Sequence, residues 1–191
     1  MAQMAALILS RKLSKAHIEP KGFAVFLAKM PQGGSITVAS LLPLMIYSYM
    51  FGMKKGVFAG CVYGLLQAVQ DPYIIHPAQF VLDYPAAFAC IGLAGMFANS
   101  AKLEKLPQIK FALGAVVAGL SRLVMHFLSG VFAFGEFAPA GQNVAVYSIL
   151  YQMGYVLPDI AIVIVIGVLV FTSKAFVKMV DGYRLKTEFA K

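Results

Sequence analysis

The chain predicts an all-α membrane protein, a bundle of six transmembrane helices with a substrate pocket near its outer face. Three observations carry that prediction. Of its 191 residues, 60% are hydrophobic and only 13% are charged, and the mean hydropathy is +0.79. The apolar residues come in blocks close to the roughly 20 residues that span a bilayer. The basic residues gather at block ends, while a few polar ones lie inside: Asp83-Tyr84, Arg122 with His126, and Tyr147 with Gln152. An ionisable group in hydrocarbon is expensive and usually faces a partner, a cavity or a substrate. Three helices that each bring one or two such groups outline a polar pocket.

Residues 1–191 read as one integral membrane domain. The first helix, Met1–Leu13, is short for a full crossing. Ser14–Gly34 ends in Pro31-Gln32-Gly33-Gly34, a Gly and Pro density that marks a loop. A Gly33-Gly34 hinge would let it close as a lid, with a plain connection the simpler reading. Its apolar run Phe23–Leu27 is expected to dip into the membrane face. Residues 35–172 hold helices two to six: Ser35–Met53 with Pro43 as a kink, Val57–Gln70, Ala78–Asn99, Phe111–Phe134, and Val144–Thr172 with Pro158 inside. Residues 173–191 form a charged cytoplasmic tail. The N-terminus is apolar first and basic afterwards, the reverse of a cleavable signal peptide.

The net charge of +8 does not point to nucleic acid, because the basic residues form no stripe interleaved with exposed aromatics. Membrane lipid is the expected surrounding. With both termini cytoplasmic, the inner segments hold Lys54, Lys55, Lys102, Lys105, Lys110, Lys174, Lys178, Arg184, Lys186 and Lys191. The outer loops after helices three and five hold only Asp71 and Glu136. The first outer loop dissents with Arg11, Lys12, Lys15, Lys21 and Lys29, yet the positive-inside rule still favours both termini inside. Cys61 and Cys90 lie in separate apolar segments and read as small buried hydrophobes. His17, His76 and His126 lie apart with no ligand spacing, so no metal is expected.

Spacing sharpens the pocket. Arg122, His126 and Ser129 share one helical face, as do Gln79 and Asp83. Ser148, Tyr151, Gln152, Tyr155 and Asp159 follow helical spacing on helix six, and Tyr63, Gln67 and Gln70 make a weaker face on helix three. Converging, these faces enclose a cavity with tyrosine walls and one carboxylate. It suits a flat cation that hydrogen-bonds: the carboxylate neutralises, the rings stack, and amide and imidazole read ring nitrogens. Two readings of Asp83 stand side by side, a ligand counter-charge and a structural ion pair with Arg122. Asp159, after Pro158, reads as structural. No GxxxxGK[ST], GxSxG or HExxH occurs, so neither a P-loop nor a catalytic signature is present.

A set of motifs runs in order across roughly residues 30–160. It comprises Met30-Pro31-Gln32-Gly33-Gly34-Ser35, then His76-Pro77 with Leu82-Asp83-Tyr84, then His126-x-x-Ser129-Gly130. Phe134-Gly135-x-Phe137-Ala138-Pro139-x-Gly141, Tyr147-Ser148 and Tyr151-x-x-x-Tyr155-x-x-Pro158 complete it. On these residues the chain resembles the thiamine-specific S-components of energy-coupling factor (ECF) vitamin transporters, the ThiT type. The resemblance implies a six-helix membrane subunit, not an enzyme, that captures thiamine from outside and needs no cofactor. It would work with a transmembrane ECF coupling protein and two ATPase subunits.

By the same resemblance the pocket acid falls on Asp83, its tyrosine neighbour on Tyr84, the histidine on His126 and the helix-six tyrosine on Tyr147. Gln152 stands where asparagine is common. Some members stack the ligand on tryptophan, and with no Trp here the stand-ins are Phe134, Tyr73 and Tyr63. An alanine ridge on helix one, Ala2, Ala5 and Ala6, would meet the coupling protein. The alternatives are an S-component for another vitamin or pyrimidine precursor, a proton-coupled carrier using Asp83, Arg122 and His126, and a purely structural subunit.

Overall fold

A small antiparallel sheet stands where the sequence reads as loop. The computed structural model describes residues 20–21, 24–30, 33–70 and 72–189. Strands β1 (Pro20–Lys21), β2 (Ala24–Lys29) and β3 (Ser35–Thr37) form a meander in that order. Phe26 pairs with Thr37 and Lys29 with Ser35, with an irregularity between Phe26 and Ala28. Met30 N donates to Gly34 O at 2.6 Å and Gly33 N to Met30 O at 3.2 Å, closing the turn between β2 and β3. Gly33 takes a φ of +89° there, which a residue without Cβ adopts freely. The sheet corrects both the loop expected up to Gly34 and the helix start expected at Ser35. Ala24–Lys29 contains Val and Phe, which favour a pleated strand. The helix expected at Met1–Leu13, with Ala2, Ala5 and Ala6, lies outside the described residues, as does Ser14–Glu19.

The first described helix, α1 (Leu42–Phe51), carries Pro43 in its opening turn. A missing N–H costs nothing there, so Pro43 starts this helix instead of kinking a longer one. Gly52, at φ 92°, turns the chain directly into α2 (Met53–Gln70). Gly56, Gly60, Gly64 and Ala68 recur every four residues along α2 and are all buried. This smooth stripe lies against α3 (Pro77–Gly95). Gly56 faces Ser48 and Gly92, Gly60 faces the Phe88 carbonyl, and Gly64 faces the Tyr84 carbonyl. The two backbones therefore approach closely and run antiparallel, as small-residue ridges allow.

Two long helices complete the bundle, α4 (Pro107–Ala133) and α5 (Val144–Thr172), the latter capped by Asn143. They pack antiparallel, with Gly167 against Phe111, Gly119 against Ile160 and Gly130 against Ser148. The charged tail forms a further helix, α6 (Lys174–Phe189). Met45, Ile91, Ala94, Phe111, Ala115, Ala118, Val156 and Val163 are wholly buried and form the core. By length and composition, α3, α4 and α5 can each cross a membrane, while α1 is a shorter apolar helix. Leu120, Val124, Leu150, Val165 and Leu169 are exposed on these helices, as lipid-facing residues should be. The fold is that of an all-α membrane protein with a small sheet added.

Candidate functional site

Helix α3 is irregular where the chemistry sits. Pro85 has no N–H, so the hydrogen bond back to Val81 cannot form. The turn Leu82–Ala86 widens into a π-helical turn, a distortion common at functional sites. Asp83 and Tyr84, adjacent in sequence, both line the same cavity as a result. At the head of α3, Pro77 opens the helix and His76 Nδ1 accepts from Ala78 N at 3.1 Å.

The cavity lies between the β2–β3 turn and helices α2 to α5, and holds about 870 Å³ of empty space, open solvent at its mouth included. Asp83, Tyr84, His126, Phe134, Tyr147, Gln152 and Tyr73 all line it, as do Arg122, Tyr151 and Tyr155. Tyr63 does not. Its ring lies 5.2 Å from that of Phe88, and its hydroxyl accepts from Gln67 Nε2 at 2.7 Å, so Gln67 is the residue that reaches the cavity.

Asp83 is held by donors alone. His126 Nδ1 lies 2.8 Å from Oδ1, while Ser129 Oγ and Gln79 Nε2 each donate to Oδ2 at 2.8 Å. Gln79 also reaches the Tyr73 carbonyl at 2.9 Å, and Tyr84 accepts from Tyr73 N at 2.8 Å, which fixes the loop carrying Tyr73. Gln79 was legible only as the residue one turn before Asp83.

Of the two readings of Asp83, the ion pair with Arg122 is not the one formed. Arg122 Nη1 instead donates to Asp159 Oδ2 at 3.0 Å. Arg122 Nε donates to His126 Nε2 at 3.2 Å, and its guanidinium lies over the Phe88 ring at 5.2 Å. Asp159, read as a structural residue beside Pro158, is a buried anchor for Arg122 and for β3. An arginine inside a bundle needs a carboxylate, and two acids were candidates; the register of α4 against α5 selects Asp159.

These bonds fix the protons. His126 Nε2 accepts from Arg122, so the proton sits on Nδ1 and is given to Asp83. The imidazole is therefore neutral. Through His126 the network joins two carboxylates, Asp83 and Asp159, to one guanidinium, Arg122, which leaves one surplus negative charge. Asp83 carries it toward the cavity, its side chain 16% exposed against 2% for Asp159.

The walls are aromatic. Tyr73 and Phe134 lie nearly parallel, 11° apart with centroids 6.1 Å apart, and Tyr147, Tyr151 and Tyr155 follow one another along α5. The Tyr155 hydroxyl donates to Gln152 Oε1. That occupies one lone pair of the amide oxygen and holds Nε2 beside Gly130, which also lines the cavity. The site can thus accept a flat monocation and donate to one of its ring nitrogens.

Comparisons with known proteins identify the family. Residues 23–178 match the family described as thiamine transporter protein (Thia_YuaJ). The thiamine transporter ThiT of Bacillus subtilis is 36% identical over 151 residues, 75% of this chain and 78% of that protein. ThiT of Lacticaseibacillus paracasei is 28% identical over 183 residues, 88% of this chain and 91% of its own length. The solved structure of ThiT from Listeria monocytogenes superposes with a TM-score of 0.67 at 23% identity, covering 88% and 91% of the two chains. At that identity the likeness is one of fold.

Proposed function

The chain belongs to the thiamine transporter protein family, and from that premise we propose that it is the thiamine-capturing membrane subunit of an ECF-type vitamin importer. One observation carries the reading beyond the family: a cavity with aromatic walls whose hydrogen-bond network holds one surplus negative charge. Thiamine brings one permanent positive charge on its thiazolium ring and an aminopyrimidine rich in acceptors. The aromatic faces attract a cation and stack on flat rings, and partial desolvation strengthens the pairing with Asp83.

In this reading Asp83 is the counter-charge, held in place by His126, Ser129 and Gln79. Gln152 donates to the pyrimidine, and Tyr73, Tyr84, Phe134 and Tyr147 enclose the rings. Energy comes from two ATPase subunits acting through a transmembrane coupling protein, while this chain only binds. Both termini lie in the cytoplasm and the cavity opens outward. The distribution of charge supports that orientation: Lys54, Lys55, Lys102, Lys105, Lys174 and Lys178 belong to the end of the bundle remote from the cavity.

Calorimetry on the purified chain in detergent tests the proposal. Tight thiamine binding without any ATPase is expected. A folded sample that ignores thiamine but binds another vitamin or a neutral pyrimidine would replace the ligand. Uptake driven by a proton gradient alone would replace the mechanism.

A further inference from the structure

A second cavity lies at the opposite end of the bundle, and nothing in thiamine capture uses it. It is formed where α3 hands over to α4, and it is closed by α1 and α6. Its empty space is about 1190 Å³, open solvent at its mouth included. Tyr49, Asn99, Ser100, Lys110, Asp181 and Arg184 are among its lining residues.

Lys110 is the unusual group. It is only 7% exposed, and its ammonium makes a single hydrogen bond, to the Ala98 carbonyl at 3.3 Å. An ammonium has three donors, so two are left without a partner among the described residues. A buried cation without a counter-charge is costly.

Arg184 converges on the same atom. Its Nη2 donates to Ala98 O at 3.0 Å and also to Asn99 Oδ1, while the guanidinium lies 5.3 Å over the Tyr49 ring. Two cations thus share one carbonyl oxygen, a neutral acceptor too weak to balance both. The acids of the cavity stand at its rim. Asp181 is 3.9 Å from Arg184 Nη1 with its side chain 57% exposed, and Glu104 is exposed and makes no ion pair among the described residues. The first turn of α4, beginning at Pro107, adds a helix N-terminus on the same side.

We infer that this cavity binds a phosphate-bearing anion between Lys110 and Arg184, supplied either by the headgroup of an anionic phospholipid or as free phosphate. Its place favours such a ligand: it lies at the lysine-rich end of a membrane bundle, where basic pockets between helices hold lipid headgroups. Phosphate oxygens supply the acceptors that the Lys110 ammonium lacks, and they bridge it to the guanidinium with charge-assisted bonds. The inference is independent of what the first cavity binds.

The experiment uses the full chain in a neutral detergent. Phosphatidylglycerol, phosphatidylcholine and inorganic phosphate are added separately, with thermal unfolding and native mass spectrometry as readouts. Phosphatidylglycerol, unlike phosphatidylcholine, is expected to raise the unfolding temperature and to remain bound. Lys110→Met and Arg184→Gln should each weaken that binding about tenfold or more, the loss of one charge-assisted hydrogen bond. Inorganic phosphate that reproduces the whole effect, with the same loss in both variants, supports the site and assigns the free anion. Helical circular dichroism checks each variant, and Arg184→Gln carries the test if Lys110→Met does not fold. Absence of stabilisation by either probe, or wild-type affinity in a folded variant, overturns the inference.

Discussion

Thr37 donates twice to one oxygen of Asp159, through its backbone N at 3.0 Å and its hydroxyl at 2.7 Å. The two residues are 122 apart in sequence. The other carboxylate oxygen belongs to Arg122. One acid therefore fastens β3 to α5 and, through Arg122 and His126, joins the sheet to the network around Asp83.

Thr37→Val keeps the volume and the backbone bond but removes the hydroxyl. A hydrogen bond to a charged group contributes about 1.5–3 kcal/mol, so unfolding stability should fall by about that much, with Thr37→Ser closer to wild type. Thermal or denaturant unfolding in detergent reads the difference. An unchanged midpoint in Thr37→Val would show that the hydroxyl adds nothing.

Asp83→Asn removes the surplus charge that faces the cavity. Opposite charges about 6 Å apart at an effective dielectric constant of about 20 attract by about 3 kcal/mol. Thiamine affinity should therefore drop about a hundredfold in calorimetry. Wild-type affinity in this variant would remove Asp83 from the site.

Tyr155→Phe frees the acceptor of Gln152, so the amide is no longer held with its N–H toward the cavity. A net hydrogen bond of about 1 kcal/mol is at stake, and thiamine should bind several-fold more weakly. Titration of Gln152→Ala and the double variant closes the cycle. Additive effects would mean that the hydroxyl and the amide act separately.

Gly60→Ala places a methyl against the Phe88 carbonyl. Overpacking of this kind costs about 1–3 kcal/mol, and the melting temperature should fall. Gly182→Ala is the opposite case, since nothing lies within 4 Å of the added methyl. On α6 it should stabilise by about 0.5–1 kcal/mol. Equal melting temperatures for the two variants would contradict the close approach of α2 to α3.

The legible parts of the sequence were those where one physical signal dominated. Helix α5 runs Val144–Thr172 as its long apolar block suggests, with Asn143 capping it and Pro158 carried inside without ending it. The start of α1 was illegible because no Gly or Pro marks a break between β3 and Leu42; Pro43 held the answer, as an opening residue. The stripe Gly56, Gly60, Gly64 and Ala68 is present in the sequence as spacing, but spacing alone does not name the helix it packs against. For the cavity, residue type alone pointed to Asp83, His126 and Gln152. It could not decide which acid Arg122 takes, because that depends on how two helices slide against each other. Nor could it tell Tyr63 from Gln67, one turn apart on the same face.

The charge count at Asp83, Asp159 and Arg122 has an electrical consequence. Bound to a monovalent cation, the network is neutral; empty, it holds one uncompensated charge in a medium of low polarity. Membrane voltage acts on displaced charge at about 2.3 kcal/mol per elementary charge for every 100 mV. Any movement of the site across the bilayer would then be voltage-sensitive on the empty return and almost insensitive when loaded.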